Sequence, residues 1–171
     1  MAELWDIFDK KGNKTKRLHE RGKPMQAGDY RLVVRVCIMN SNDEMLIQKG
    51  SSHIWGFAGG AAISGEDGLQ TALREAQEEL GISLAPQNGR LFKRYCEPRF
   101  SHGGGAWVEV WLFKQEVNIS DIIICKGETL DAKWVSKAQI QQMISNGSFT
   151  QATDALYPFL DELLELSPVT T

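Results

Sequence analysis

A chain of 171 residues is long enough for one domain with a sizeable core, or for one domain plus a small extension. Its composition, 42% hydrophobic and 24% charged, is ordinary for a globular protein. A net charge of −3 provides no general attraction to nucleic acid or to a membrane surface, so any phosphorylated partner must be held by local Arg and Lys.

Residues 1–28 read as an extension ahead of the main domain at 29–171. Within it, the turn-like cluster Asp9-Lys10-Lys11-Gly12-Asn13 separates Leu4–Phe8 from Thr15–Leu18, which predicts a small hairpin. Tyr30–Met39 reads as a strand, Asn40–Asp43 as a turn and Met45–Gln48 as a second strand. Arg31 and Arg35 stand four apart on the first of these and so share a face. They either line a substrate cleft, where Arg suits bidentate contacts to phosphate oxygens, or salt-bridge a carboxylate on an exposed sheet face.

The stretch Trp55-Gly56-Phe57-Ala58-Gly59-Gly60 reads as a loop, followed by a helix over Asp67–Leu80. Asp67 is a good N-cap, Gln70 completes a capping box, and Gly81 suits a left-handed end. Leu69, Ala72, Leu73, Ala76 and Leu80 form its apolar face. Further strands are predicted at Leu91–Cys96, Val108–Lys114 and Ala132–Val135, and helices at Lys137–Ser145 and Ala152–Leu166. The glycine run Gly103–Gly105, near Phe100, suits a lid whose aromatic ring stacks on a base or sugar, whereas Trp107 and Trp111 read as alternate strand residues supporting the core. Strands packed between helices predict an α/β/α sandwich around a mixed sheet, with the 67–80 helix on one side and the C-terminal helices on the other.

One constellation dominates: Gly60, Glu66, then Arg74-Glu75-Ala76-Gln77-Glu78-Glu79-Leu80-Gly81-Ile82. Glu75, Glu78 and Glu79 lie at i, i+3 and i+4, so three like charges gather on one helical patch and need an offsetting cation. Carboxylate oxygens suit hard ions such as Mg²⁺ or Mn²⁺, and Arg74 can neutralise or orient a neighbouring carboxylate.

This pattern resembles the Nudix box, Gly-x5-Glu-x7-Arg-Glu-U-x-Glu-Glu-x-Gly-U with U apolar, at every specified position. By average residue usage it would arise by chance roughly once per 10^9 starting positions. The resemblance implies a metal-dependent hydrolase of a diphosphate linkage in a nucleoside diphosphate-linked or related substrate, with Mg²⁺ (or Mn²⁺) as cofactor and the family's α/β/α sandwich as fold. It further implies that Gly60, Glu75, Glu78 and Glu79 bind metal, with Glu75 a ligand or a base held by Arg74. Trp55 and Phe57 fall in the aromatic approach to the box, which has Ala58 where the family usually has proline; with Phe100 they are candidate substrate contacts. Glu128, six residues before Trp134, falls where several family members carry a loop glutamate acting as an extra ligand or general base.

The segments Leu4–Asp9, Arg17–Gly22 and Gly28–Arg31 also resemble bacterial Nudix proteins of the isopentenyl diphosphate isomerase-like kind. That enzyme needs a loop cysteine and several histidine ligands. Here Phe57–Ala62 contains neither, and Arg31 stands where a histidine is required. A non-catalytic nucleotide-binding module is the other alternative, but such modules normally lose a box glutamate. The widely spaced Cys37, Cys96 and Cys125 suggest reduced thiols. No signal peptide or spanning stretch is evident, so a cytoplasmic monomer or homodimer without nucleic-acid or membrane partners is expected.

Overall fold

The computed structural model describes residues 1–98, 103–124, 129–150 and 157–166, organised around one long strand, β3 (Met25–Met39). Its second half is buried on both faces, as a continuous run of Val and Ile requires. One edge of β3 runs parallel to β8 (Gly103–Lys114), with Tyr30–Met39 alongside Gly105–Lys114. The other edge is shared by three antiparallel partners: β1 (Leu4–Phe8) at Tyr30, β6 (Ala58–Ala61) at Val33–Val36, and β4 (Met45–Gly50) at Ile38–Met39. β2 (Lys14–Glu20) pairs with β1, β5 (Trp55–Gly56) and β9 (Thr129–Val135) with β4, and β7 (Gly89–Glu97) with β8. The sheet is therefore mixed.

Alternation along β3 divides the core into two layers. Val34, Val36 and Ile38 pack with Ala72, Ala76 and Leu80 of α1 (Gly68–Leu80). On the opposite face Cys37 and Met39, with Val110 and Leu112 of β8, pack with Ile140 and Met143 of α2 (Lys137–Ser145) and with Leu160 and Leu163 of α3 (Leu160–Leu164). This is the expected α/β/α sandwich. Among the described residues no helix is long and apolar enough to cross a membrane.

The N-terminal hairpin forms as predicted, its turn held by Asp9 Oδ1, which accepts from the Lys11 and Asn13 amides at 2.8 and 3.0 Å. Three expectations change. The helix expected over 152–166 is described as helical only at Leu160–Leu164; residues 151–156 lie outside the description. Pro158 accounts for the non-helical backbone at 157–159: it has no amide to donate and biases Tyr157 towards extended backbone. Gly103–Gly105 is not a lid but the first part of β8, with Gly105 beside Tyr30. The approach to the box is not a loop either. Ala58–Ala61 is a strand against β3, where a Cβ on Gly59 would meet the Val34 carbonyl at 2.1 Å, so glycine is demanded by close backbone approach.

The C-terminal segment braces this approach. The Phe57 amide donates to the hydroxyl of buried Tyr157 at 3.0 Å, and that hydroxyl lies 3.3 Å from the Phe57 carbonyl. Tyr157→Phe should leave the buried amide unsatisfied and cost about 1–3 kcal/mol. Urea unfolding checks this; a loss under about 0.5 kcal/mol, typical of surface changes, would show that the contact is dispensable.

Candidate active site

Helix α1 is fixed at both ends by local chemistry. Asp67 Oδ1 accepts from the Gln70 amide at 2.8 Å, Gln70 Oε1 accepts from the Asp67 amide at 2.9 Å, and Gly81 closes the helix at φ 66°. With its small apolar face against β3, the helix brings Glu75 and Glu79 to the Gly59-Gly60 backbone of β6.

Arg74 is the hub of the box. Its Nε donates to Glu66 Oε1 at 2.8 Å, one terminal nitrogen donates to Glu75 Oε1 at 2.8 Å and Glu78 Oε2 at 2.9 Å, and the other donates to the Ala61 carbonyl and Glu66 Oε2, each at 3.0 Å. Burial works to lower the Arg74 pKa, but the Glu66 hydrogen bond and the Glu75 charge carry it above the usual guanidinium range. Burial likewise raises Glu66, and hydrogen bonds from Arg74 and from the Ile63 amide outweigh it, leaving Glu66 below the ordinary carboxylate value. Glu66 is thereby an anchor for Arg74, and Arg74 aligns Glu75 and Glu78.

Glu79 is held separately. Its Oε2 accepts from the Gly59 amide at 3.0 Å and from Gln48 Nε2 at 2.6 Å, while Gln48 Oε1 accepts from Thr129 Oγ1 at 2.9 Å. Arg74 engages Glu75 and Glu78 while Gln48 engages Glu79, and no three Asp, Glu, His or Cys side chains among the described residues form a closed metal cage. The donor set still fits a hard cation. Carboxylate and carbonyl oxygens dominate, and Mg²⁺ takes only one or two carboxylates beside water and substrate oxygens.

Gly60 has a spatial reason: a Cβ there would lie 2.3 Å from Glu75 Oε1. The clash is with the end of a flexible side chain, so Gly60→Ala should displace Glu75 rather than unfold the sheet. Activity is expected to fall about tenfold or more with a Tm change within a few degrees, measured by initial rates and calorimetry. Equal activity would separate Glu75 placement from turnover.

These groups line a cavity of about 710 Å³, within the range of small-molecule sites. Arg31, Val33 and Arg35, which share one face of β3, form another wall. Arg35 lies 5.6 Å over the Tyr157 ring, and its Nε is a buried side-chain nitrogen without a hydrogen-bond partner among the described residues. Arg31 is 3% exposed and lies 4.6 Å over the Trp5 ring.

Two expected contacts are not brought to the cavity. Trp55 is buried in the core with Lys133 Nζ 4.3 Å over its ring, and Phe57 packs at 5.6 Å on both Phe149 and Tyr157. Trp55 lies on β5 and Phe57 in the one-residue link between β5 and β6, and both large apolar side chains pack into the C-terminal layer. Phe100 and Glu128 lie outside the described residues. Sequence reasoning passed over Gln48, Thr129, Trp5 and Arg21. Gln48 carried a signal: a lone polar residue closing the apolar run Met45-Leu46-Ile47.

A family model described as NUDIX domain matches residues 29–158 of this chain. The chain belongs to the Nudix family. It is 32% identical over 99% of its length to an uncharacterized Nudix hydrolase of Listeria innocua, and 33% identical over 99% to one of Listeria monocytogenes, covering 98% of each. Among solved structures it resembles DR0079 of Deinococcus radiodurans, with TM-score 0.74 at 18% identity over 94% of this chain and 99% of that one. It also resembles the Nudix domain of Shewanella oneidensis NrtR in complex with ADP ribose, with TM-score 0.60 at 19% identity over 79% and 88% of the two chains. As a Nudix hydrolase it is a pyrophosphohydrolase, and the family generally uses divalent metal ions.

Proposed function

We propose that this Nudix hydrolase is Mg²⁺-dependent, with Mn²⁺ as the alternative ion, and cleaves a diphosphate linkage in a nucleoside diphosphate-linked or related small molecule by attack of water on phosphorus. The observation that carries this reading is the meeting of Glu75, Glu78 and Glu79 with Arg31 and Arg35 around one cavity. The box carboxylates and the Gly60 carbonyl would hold the ion. When bound, a divalent cation neutralises phosphate charge and makes water a better nucleophile at neutral pH.

The protein's own residues supply the rest. Arg35, beside the box through its pairing with Gly59, binds a diphosphate oxygen with its fork of donors. Arg74 orients Glu75 through their 2.8 Å contact, so Glu75 serves as ligand or as base. Glu128, on its sequence position, is the other candidate to accept a proton from the attacking water. ADP ribose, the molecule held by the Shewanella oneidensis domain, is of the substrate class proposed and supports this reading.

Turnover of a mixed panel of diphosphate compounds in ¹⁸O-water tests it. The expected result is label in a phosphoryl product, abolished by EDTA and restored by Mg²⁺. Unlabelled phosphate products, or isomerisation of isopentenyl diphosphate in place of hydrolysis, would refute it.

A further inference from the structure

Two buried polar side chains have no part in the chemistry proposed above: Gln48, near the end of β4, and Thr129, the first residue of β9. Their neighbours on the same face, Leu46 and Ala132, are apolar and pack towards α1. An apolar pair of similar shape would seal this seam between the strands about as well. Packing alone therefore does not account for a glutamine and a threonine at this point.

The backbone is shaped to bring the two together. β4 and β9 pair residue for residue from Met45 with Val135 to Lys49 with Asp131, but Gly50 then pairs with Thr129 and Leu130 is passed over. Leu130 is an extra residue in the ladder, a β-bulge, and it is left 45% exposed. Strict alternation would place Thr129 with Asp131 and Lys133, on the face where Lys133 covers Trp55. The bulge reverses this parity. Thr129 turns to the α1 face, where its hydroxyl donates to Gln48 Oε1 at 2.9 Å. The Gln48 amide in turn donates to Glu79 Oε2 at 2.6 Å.

We propose that Gln48 and Thr129 are positioning residues for the metal site, and that the bulge at Leu130 exists to aim Thr129 into this chain. The Gly59 amide alone would fix one oxygen of Glu79 and leave the carboxylate free to swing about that bond. A second donor, from another strand, constrains the direction in which the carboxylate faces the cavity. Thr129 sets the Gln48 amide so that its N–H side meets Glu79. This rests on the assignment of Glu79 as a metal ligand in the hydrolase reading.

Mn²⁺ titrated into the full chain without substrate, with free ion read by electron paramagnetic resonance, tests the chain of contacts apart from turnover. Glu79→Gln and Gln48→Met are each expected to weaken binding about tenfold or more, and Thr129→Val about threefold. Thr129→Ser, which keeps the hydroxyl, should return most of the affinity. In the double variant Gln48→Met, Thr129→Val, binding should match that of Gln48→Met alone, because Thr129 acts only through Gln48. Its Tm should nevertheless exceed that of Gln48→Met, since two apolar partners leave no buried hydroxyl unpaired. A structural role by itself would move Tm and affinity together. The proposal is overturned if Thr129→Val binds Mn²⁺ like the parent, if Thr129→Ser is as weak as Thr129→Val, if the two losses multiply in the double variant, or if affinity merely follows Tm. The Thr129 variants decide the matter even if Gln48→Met does not fold. Failure of the metal assignment itself looks different: the parent would not bind Mn²⁺, or Glu79→Gln would bind it equally well, and the positioning role would fall with it.

Discussion

Replacement of Glu79 by Gln is expected to lower kcat by more than about a hundredfold, the upper range for groups that only support a metal ligand. The substitution keeps the shape of the side chain and removes a hard anionic oxygen from the cavity. Glu79 is suited to the part because its position is over-determined: the Gly59 amide and Gln48 both donate to the same oxygen, and Gln48 is itself fixed by Thr129. A carboxylate held in this way keeps its other oxygen directed by the same contacts. The Gln variant should remain folded, with Tm within a few degrees of the parent, since an amide oxygen still accepts from Gly59. The decisive measurement is kcat against Mg²⁺ concentration. A near-normal kcat with an unchanged Mg²⁺ requirement would remove Glu79 from the proposed metal site. Glu78→Gln is expected to act in the same direction, although Glu78 is half-exposed and is held in the box by Arg74 at 2.9 Å.

The second large effect is expected from Arg74→Ala, and here stability falls with activity. Arg74 is 20% exposed and binds three carboxylates and the Ala61 carbonyl. Removing it leaves Glu66 and Glu75, both substantially buried, without their main cation. Breaking a buried pair from one side typically costs 3–5 kcal/mol; partial solvent access places this site near the lower end, at about 3 kcal/mol. For a chain of this size that corresponds to a Tm decrease of roughly 10 °C. Calorimetry at neutral pH checks the figure. Arg74→Lys is the informative companion: one ammonium cannot reproduce the fork that joins Glu66 to Glu75 and Glu78, so only part of the stability should return. A Tm loss under about 2 °C for Arg74→Ala would show that the carboxylates find other partners and that Arg74 is not the hub of the box.

How far the chain can be understood without coordinates depends on how local each cause is. Helix α1 is legible almost residue by residue, because capping by Asp67 and Gln70, termination at Gly81 and a small apolar face at Ala72, Ala76 and Leu80 are all set within a few residues. The N-terminal hairpin is legible for the same reason, through Asp9 and the turn it organises. The pairing of Arg31 and Arg35 on one face follows from strand period alone. Tertiary structure decides the remainder. Gly59 and Gly60 look like a turn until β6 is laid against β3, when close approach to Val34 and Glu75 becomes the reason for both glycines. Trp55 and Phe57 look like ligand contacts because they fall in the aromatic approach to the box; the C-terminal layer claims them for the core instead. The division of the box carboxylates between Arg74 and Gln48, and the joining of Trp5, Arg21 and Arg31 into one wall, depend on residues brought together from distant parts of the chain. No periodicity or spacing records such encounters, because their energy exists only once the sheet has placed β1, β3, β4 and α1 side by side.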